Sequence, residues 1–112
     1  MNYFKALELL KNRKTKKVAN NTYLIRQDDC IKLKFHKTII IEYYKDRQVL
    51  QVEGFKTNTT KRRLNTFSNV DINQRNYVWY VNNETPFFDG ITIDNNGKIK
   101  GKTPNKNRGK IS

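Results

Sequence analysis

Between Val18 and Val52 the chain alternates short strand-forming runs with very short polar breaks, and this spacing constrains the fold more than any other feature. Ile31, Leu33 and Phe35 alternate with Lys32, Lys34 and His36, the period-two signature of a half-buried strand. Before it, Val18 to Gln27 holds the run Thr22-Tyr23-Leu24-Ile25, with Asn20-Asn21 as a bulge or kink, and Asp28-Asp29 makes a turn. After it, Ile39-Ile40-Ile41-Glu42-Tyr43-Tyr44 reads as the next strand, apolar on both faces at its start. Lys45-Asp46-Arg47 then turns the chain into Gln48-Val49-Leu50-Gln51-Val52. Parallel neighbours require a crossover of a dozen or more residues, so breaks this short imply an antiparallel meander.

Outside the meander the pattern changes. Residues 3–12 read as a short helix, because Phe4, Leu7 and Leu10 fall three apart and Ala6 and Leu9 widen the stripe. A helix of that length is marginal alone and must dock on the sheet or on a second copy of the chain. Residues 11–17 have no apolar side chain and read as an exposed basic linker. Gly54 ends the meander. Thr57-Asn58-Thr59-Thr60 is rich in helix-capping residues, and Thr60 to Ser68, with Leu64 and Phe67 three apart, reads as a short basic helix. Asp71 to Asn76 is polar and loop-like, whereas Tyr77-Val78-Trp79-Tyr80-Val81 is a run of five strand formers. Ile91-Thr92-Ile93-Asp94 and Lys98-Ile99-Lys100 flank Asn95-Asn96-Gly97, a hairpin signal. The expectation is an α+β fold, a twisted antiparallel sheet of about five to seven strands with a short N-terminal and a short central helix. Residues 1–101 form one domain, and residues 102–112, nearly devoid of apolar side chains, a disordered basic tail.

Charge narrows the partner class. Lys and Arg number 23 against 10 Asp and Glu, a net charge of +13 on 112 residues. Self-repulsion of that size works against compaction and invites a polyanion. Many of the abundant residues, Lys and Asn among them, have A/T-rich codons, so genome composition raises the lysine count without explaining its clustering. Fifteen of the 23 cations lie in three blocks, residues 11–17, 56–63 and 98–110. Lys11, Arg13, Lys14, Lys16 and Lys17 form the first, an arm suited to phosphate contacts of low sequence specificity. In the second, Lys56, Thr57, Thr59, Thr60, Lys61, Arg62 and Arg63 join hydroxyls and positive charge to a helix start, where free N–H groups favour phosphate. Lys32 and Lys34 add a basic strand face with Lys37 at its end. Tyr44 and Phe55 are the candidates for stacking on bases beside it. The bland alternative for each block is a solvated surface run, and for most aromatics simple core filling.

Other chemistries have weaker support. Cys30 is the sole cysteine, which excludes an intramolecular disulfide and a thiolate zinc site, and fits a reducing, cytoplasmic setting. No apolar run approaches the ~20 residues of a membrane span, and the start lacks a signal-peptide core. The carboxylates are scattered, and Asp94-Asn95-Asn96-Gly97 lacks the glutamate a calcium loop requires, so no metal or cofactor is expected. His36, the only histidine, is the one catalytic candidate. With Arg62, Arg63 and a nearby threonine it would supply a metal-independent nuclease, although a lone strand histidine more often makes a structural hydrogen bond.

The segments Ala19-Asn20-Asn21-Thr22-Tyr23-Leu24, Leu33-Lys34-Phe35-His36-Lys37-Thr38 and Gly54-Phe55-Lys56-Thr57-Asn58-Thr59-Thr60-Lys61-Arg62-Arg63-Leu64-Asn65 together carry a resemblance. The chain resembles small proteins of bacteriophages and their hosts over roughly residues 18–94, with Trp79-Tyr80-Val81 and Pro86-Phe87-Phe88-Asp89-Gly90 in the same style. Phe35 stands where those proteins usually have Leu, and Phe55 where they have an aromatic, often Trp. The resemblance implies a phage-type origin and a shared scaffold, and supplies no mechanism. The expected function is that of a small accessory protein, monomer or homodimer, binding RNA or DNA mainly through the backbone. The alternatives are an inhibitor of a host polymerase, ribosome or defence complex, and the His36 nuclease.

Overall fold

The computed structural model describes residues 1–100, which form two helices and nine strands. Helix α1, Tyr3–Leu10, starts at Asn2, whose side chain accepts the Lys5 N–H at 3.0 Å. It ends with the last residue of its apolar stripe, two residues short of the expected span of 3–12, because Lys11 turns into the left-handed region with φ 55°. Ala6 and Leu10 are buried. The helix docks on the first three strands of its own sheet.

The main sheet is wholly antiparallel, in the order β1 (Thr15–Ala19), β2 (Thr22–Arg26), β3 (Ile31–Phe35), β4 (Thr38–Tyr43), β5 (Arg47–Leu50), β9 (Ile91–Asp94). The meander is thus as expected, with one correction at its start. Asn20 and Asn21 are not a bulge within one strand but the turn between two, with Asn21 at φ 54°. Residues 15–17 of the expected linker are therefore part of strand β1. The rest is held to β2 by the Arg26 side chain, which donates to the carbonyls of Lys11 at 2.6 Å and Arg13 at 3.2 Å. A bulge opposite Leu33 and Lys34 makes Ile40 the extra residue of β4, which buries the consecutive Ile40 and Ile41 and explains the doubly apolar start of that strand.

Helix α2, Asn58–Phe67, follows, then a second sheet of β6 (Ile72–Arg75), β7 (Val78–Val81) and β8 (Thr85–Pro86). Strand β6 replaces the expected loop. Its sequence has a single apolar residue, and its position is set from outside, by the Asn65 amide bonded to both the N–H and the carbonyl of Ile72. Tyr77 belongs to the turn before β7 rather than to the strand. Of the hairpin expected at 91–100, β9 forms, and its return is reduced to a single bridge between Ile93 and Ile99. The expected tail at 102–112 lies outside the described residues.

One face of the main sheet supplies Leu24, Leu33, Ile41, Tyr43, Leu50, Ile91 and Ile93 to a core shared with α1, Leu64 of α2 and Val81 of β7. Two polar side chains entering that core, Tyr43 and Gln48, are partnered. The Tyr43 hydroxyl donates to the Phe67 carbonyl at 2.7 Å, and buried Gln48 bridges the Met1 carbonyl and the Asn69 N–H. Burial also pushes the Tyr43 phenol well above its usual pKa. The side chains on the opposite face remain unburied from β1 to β9.

Candidate nucleic-acid interface

Strand register determines what meets on that open face, because residues directly opposite share a side of the sheet. One row runs Lys17–Tyr23–Lys34–Ile39 across four strands. The next runs Thr15–Ile25–Lys32–Glu42–Val49–Thr92 across six. At about 4.8 Å per strand step, Lys17 and Lys34 stand roughly 10 Å apart with Tyr23 between them. Tyr23 is 40% exposed. Lys17, Lys32 and Lys34 have no ion-pair partner among the described residues. The first row holds no carboxylate. Glu42 in the second row accepts the Tyr44 hydroxyl at 3.0 Å.

Tyr44 is poorly placed for stacking. The Arg47 guanidinium covers its ring at 4.1 Å, and its phenol is pushed up to about 12, by burial first and by Glu42 second. Phe55 is 61% exposed and borders a groove of about 730 Å³. Phe35, Ile40, Val52 and Phe55 give that groove an apolar lining, and His36, Lys37, Thr38, Thr57, Thr59 and Thr60 complete it, with no carboxylate among them. The structure thus brings His36, Lys37, Phe55, Thr57, Thr59 and Thr60 together across the β3–β4 turn and the start of α2. His36 sits in that turn at φ 56°, its ring 4.4 Å from Phe35.

The hydroxyls expected to seat phosphate are partly committed. Thr57 is the N-cap of α2, its Oγ1 accepting the Thr60 N–H at 3.1 Å, and the two hydroxyls hydrogen-bond each other at 2.9 Å with Thr60 buried. Thr59 carries no such bond. Arg62 and Arg63 separate. Arg63 Nε donates to Thr22 Oγ1 at 3.0 Å and its guanidinium lies 5.5 Å from the Phe35 ring, which fastens α2 to the main sheet. Arg62 lines a different depression, about 450 Å³, with Asn58, Lys61, Asn65 and Thr66. Lys56 reaches over Trp79 at 5.9 Å. Lys14 borders a third depression with Asn12, Arg26, Gln27 and Asp28. Lys11 and Arg13 lie in the segment tied down by Arg26, and Lys16 stands opposite Leu24.

The nuclease constellation is therefore divided, with His36 and Arg63 against Phe35 and Arg62 elsewhere. Among the described residues no three His, Cys, Asp or Glu side chains gather as a metal site. Cys30 is buried, and burial raises its thiol pKa. Three exposed aromatics escaped the sequence reading: Phe4, which the apolar stripe of α1 would bury, Tyr23 and Tyr77. Tyr23 is signalled by the alternation of Thr22-Tyr23-Leu24, which puts it opposite in sense to buried Leu24. Tyr77 is disguised by the strand-forming run it begins.

No helix among the described residues is long and apolar enough to cross a membrane. Comparison with curated proteins and with solved structures finds no match. A phage family described as Kyanoviridae Gp96 protein matches residues 4–94, which takes in α1 as well as both sheets and is wider than the span of the resemblance noted above. This chain belongs to the Kyanoviridae Gp96 protein family.

Proposed function

We propose that the protein binds single-stranded RNA or DNA across the open face of the main sheet. The observation that carries this reading is Tyr23, exposed between Lys17 and Lys34 in a row without a carboxylate. Lysine on an edge strand such as β1 has a routine use, since it discourages edge-to-edge pairing. That does not account for Lys32 and Lys34, which stand on the interior strand β3. A basic surface with an aromatic in its middle is the arrangement that tracks a phosphate backbone while stacking a base of any identity. Lys37, in the turn beyond the Lys34 row, continues the positive surface toward the groove at the start of α2.

The test is fluorescence anisotropy with a labelled single-stranded 20-mer of mixed sequence, over a salt series. Replacing Lys17 and Lys34 together by alanine is expected to lower the slope of log K against log salt by about 1.4, or 0.7 per lost phosphate contact on a single strand. Tyr23→Ala is expected to weaken binding by ~1–3 kcal/mol with the slope unchanged, since stacking releases no counterions. Variants that bind like the parent would remove the sheet face from the reading.

A further inference from the structure

The β6–β7 hairpin carries a side chain that its own fold gives no reason to keep. Its two turn residues, Asn76 and Tyr77, both lie in the left-handed region, at φ 50° and 67°. A two-residue turn of that hand matches the twist of the strands and favours Asn or Gly, whereas a bulky side chain there is strained. The same chain follows the preference at both positions of Asn82–Asn83, φ 55° and 60°, and at the second position of the 53–54 turn, where Gly54 has φ 87° after Glu53 at φ 49°. Tyr77 departs from it at the second position, and nothing among the described residues compensates, because the residue is 92% exposed and its hydroxyl and ring have no partner there. Val78 beside it is 40% exposed. Arg75, on the other side of the turn, lays its guanidinium 4.2 Å from the Tyr80 ring. From Ile72 to Asn83 there is no acidic residue.

Strain retained at an exposed aromatic points outward, to something that covers the ring. We infer that Tyr77 is a second stacking post for single-stranded nucleic acid, with Arg75 supplying the phosphate contact beside it. The charge around the tip selects the class of partner: an Arg-bearing hairpin with no carboxylate suits a polyanion, and a free aromatic face suits a nucleobase. This inference rests on the function proposed above but on a different part of the surface, so the two can fail separately.

The experiment compares Tyr77→Asn and Tyr77→Phe with the parent in melting temperature and in affinity for the same labelled 20-mer. Tyr77→Asn relieves the turn, and is expected to melt at or above the parent temperature while binding about tenfold more weakly, with the salt slope unchanged. Tyr77→Phe keeps the ring and is expected to keep the affinity. Cross-linking of a 5-iodouridine-substituted 20-mer to the parent chain is expected to label Tyr77. Parent-like binding by Tyr77→Asn, while the Lys17 and Lys34 variant is impaired, would overturn this inference and leave the sheet-face reading standing. A parent chain that binds no oligonucleotide would overturn both. A lower melting temperature for Tyr77→Asn would show that the ring packs within the fold, and would overturn the strain argument. Unchanged oligonucleotide binding together with loss of a stoichiometric protein partner would assign the tip to a protein pocket instead.

Discussion

Replacing Arg63 with alanine is expected to destabilise the fold by about 2 kcal/mol. Its Nε donates to Thr22 Oγ1 at 3.0 Å, and a hydrogen bond from a charged donor is worth ~1.5–3 kcal/mol. The guanidinium at 5.5 Å from the Phe35 ring adds ~0.5–1 kcal/mol. Against this, truncation releases a long side chain held in one rotamer, which returns on the order of 1 kcal/mol of entropy. Thr22 is fully buried but not orphaned by the change, since its hydroxyl still donates to the Asn20 carbonyl at 2.7 Å, which keeps the cost from climbing further. For a domain near 100 residues, 2 kcal/mol corresponds to a fall in Tm of roughly 8–16 °C. Thermal and urea unfolding followed by circular dichroism would measure it. Arg62→Ala, exposed on the other side of α2, serves as the control and is expected to stay within about 0.5 kcal/mol of the parent. A double-mutant cycle with Thr22→Val should show coupling of about 1 kcal/mol. If Arg63→Ala unfolds with the parent, or the cycle shows no coupling, the tie between α2 and the main sheet is not what the distances imply, and Arg63 is returned to the surface charges available for a ligand.

Leu10 is fully buried where α1 meets the sheet, so Leu10→Ala should cost about 3 kcal/mol in urea unfolding, and half-buried Leu7→Ala markedly less; because α1 docks on its own chain, both should be independent of protein concentration. The Tyr44 phenol, raised to about 12, is held neutral more firmly in the folded chain than in the unfolded one, so its stabilisation is complete below pH 10 and is lost as the pH rises toward 12. Tyr44→Phe should therefore flatten the loss of stability between pH 10 and 12, measured as the urea midpoint at each pH, and an unchanged profile would rule out this residue as its source.

How far the fold could be read in advance depended on where each element gets its order. Strand β3 is dictated locally: three apolar residues alternate with polar ones between turns, and the element falls where the pattern puts it. Strand β6 is not, because Asn73, Gln74 and Arg75 have no period, and only Asn65 and the pairing with β7 place them. Strand β1 was missed for a related reason. Thr15-Lys16-Lys17 has nothing to bury, and it is a strand because a two-residue Asn turn folds it back on β2. The candidate site inherits the same division. Lys32 and Lys34 were visible on one face from alternation alone. Lys17 and Tyr23 join them only through cross-strand register, a tertiary property, and the Ile40 bulge shows how readily register departs from simple counting.

Register also changes what the charge means. Read along the chain, the cations fall into blocks that suggest flexible arms. Folding breaks the first block, placing Lys17 beside Tyr23 on the open face while Arg26 ties down the segment of Lys11 and Arg13. It breaks the second as well, spending Arg63 on the core side and leaving Arg62 outside. The surface that results is assembled from lysines distant in sequence. Lys17 and Lys34 stand roughly 10 Å apart, a little beyond the Debye length of about 8 Å at physiological salt, and Lys32 lies next to Lys34 on the same strand face, so a partly screened repulsion opposes folding whenever no anion is bound. A ligand that neutralises them recovers that cost on binding and stabilises the folded state in proportion to its occupancy. On the function proposed above, the same uncovered face that costs the free protein stability would give a polyanion its advantage, and Tyr23, set among those charges, would let stacking add to affinity where electrostatics alone would hold any anion equally well.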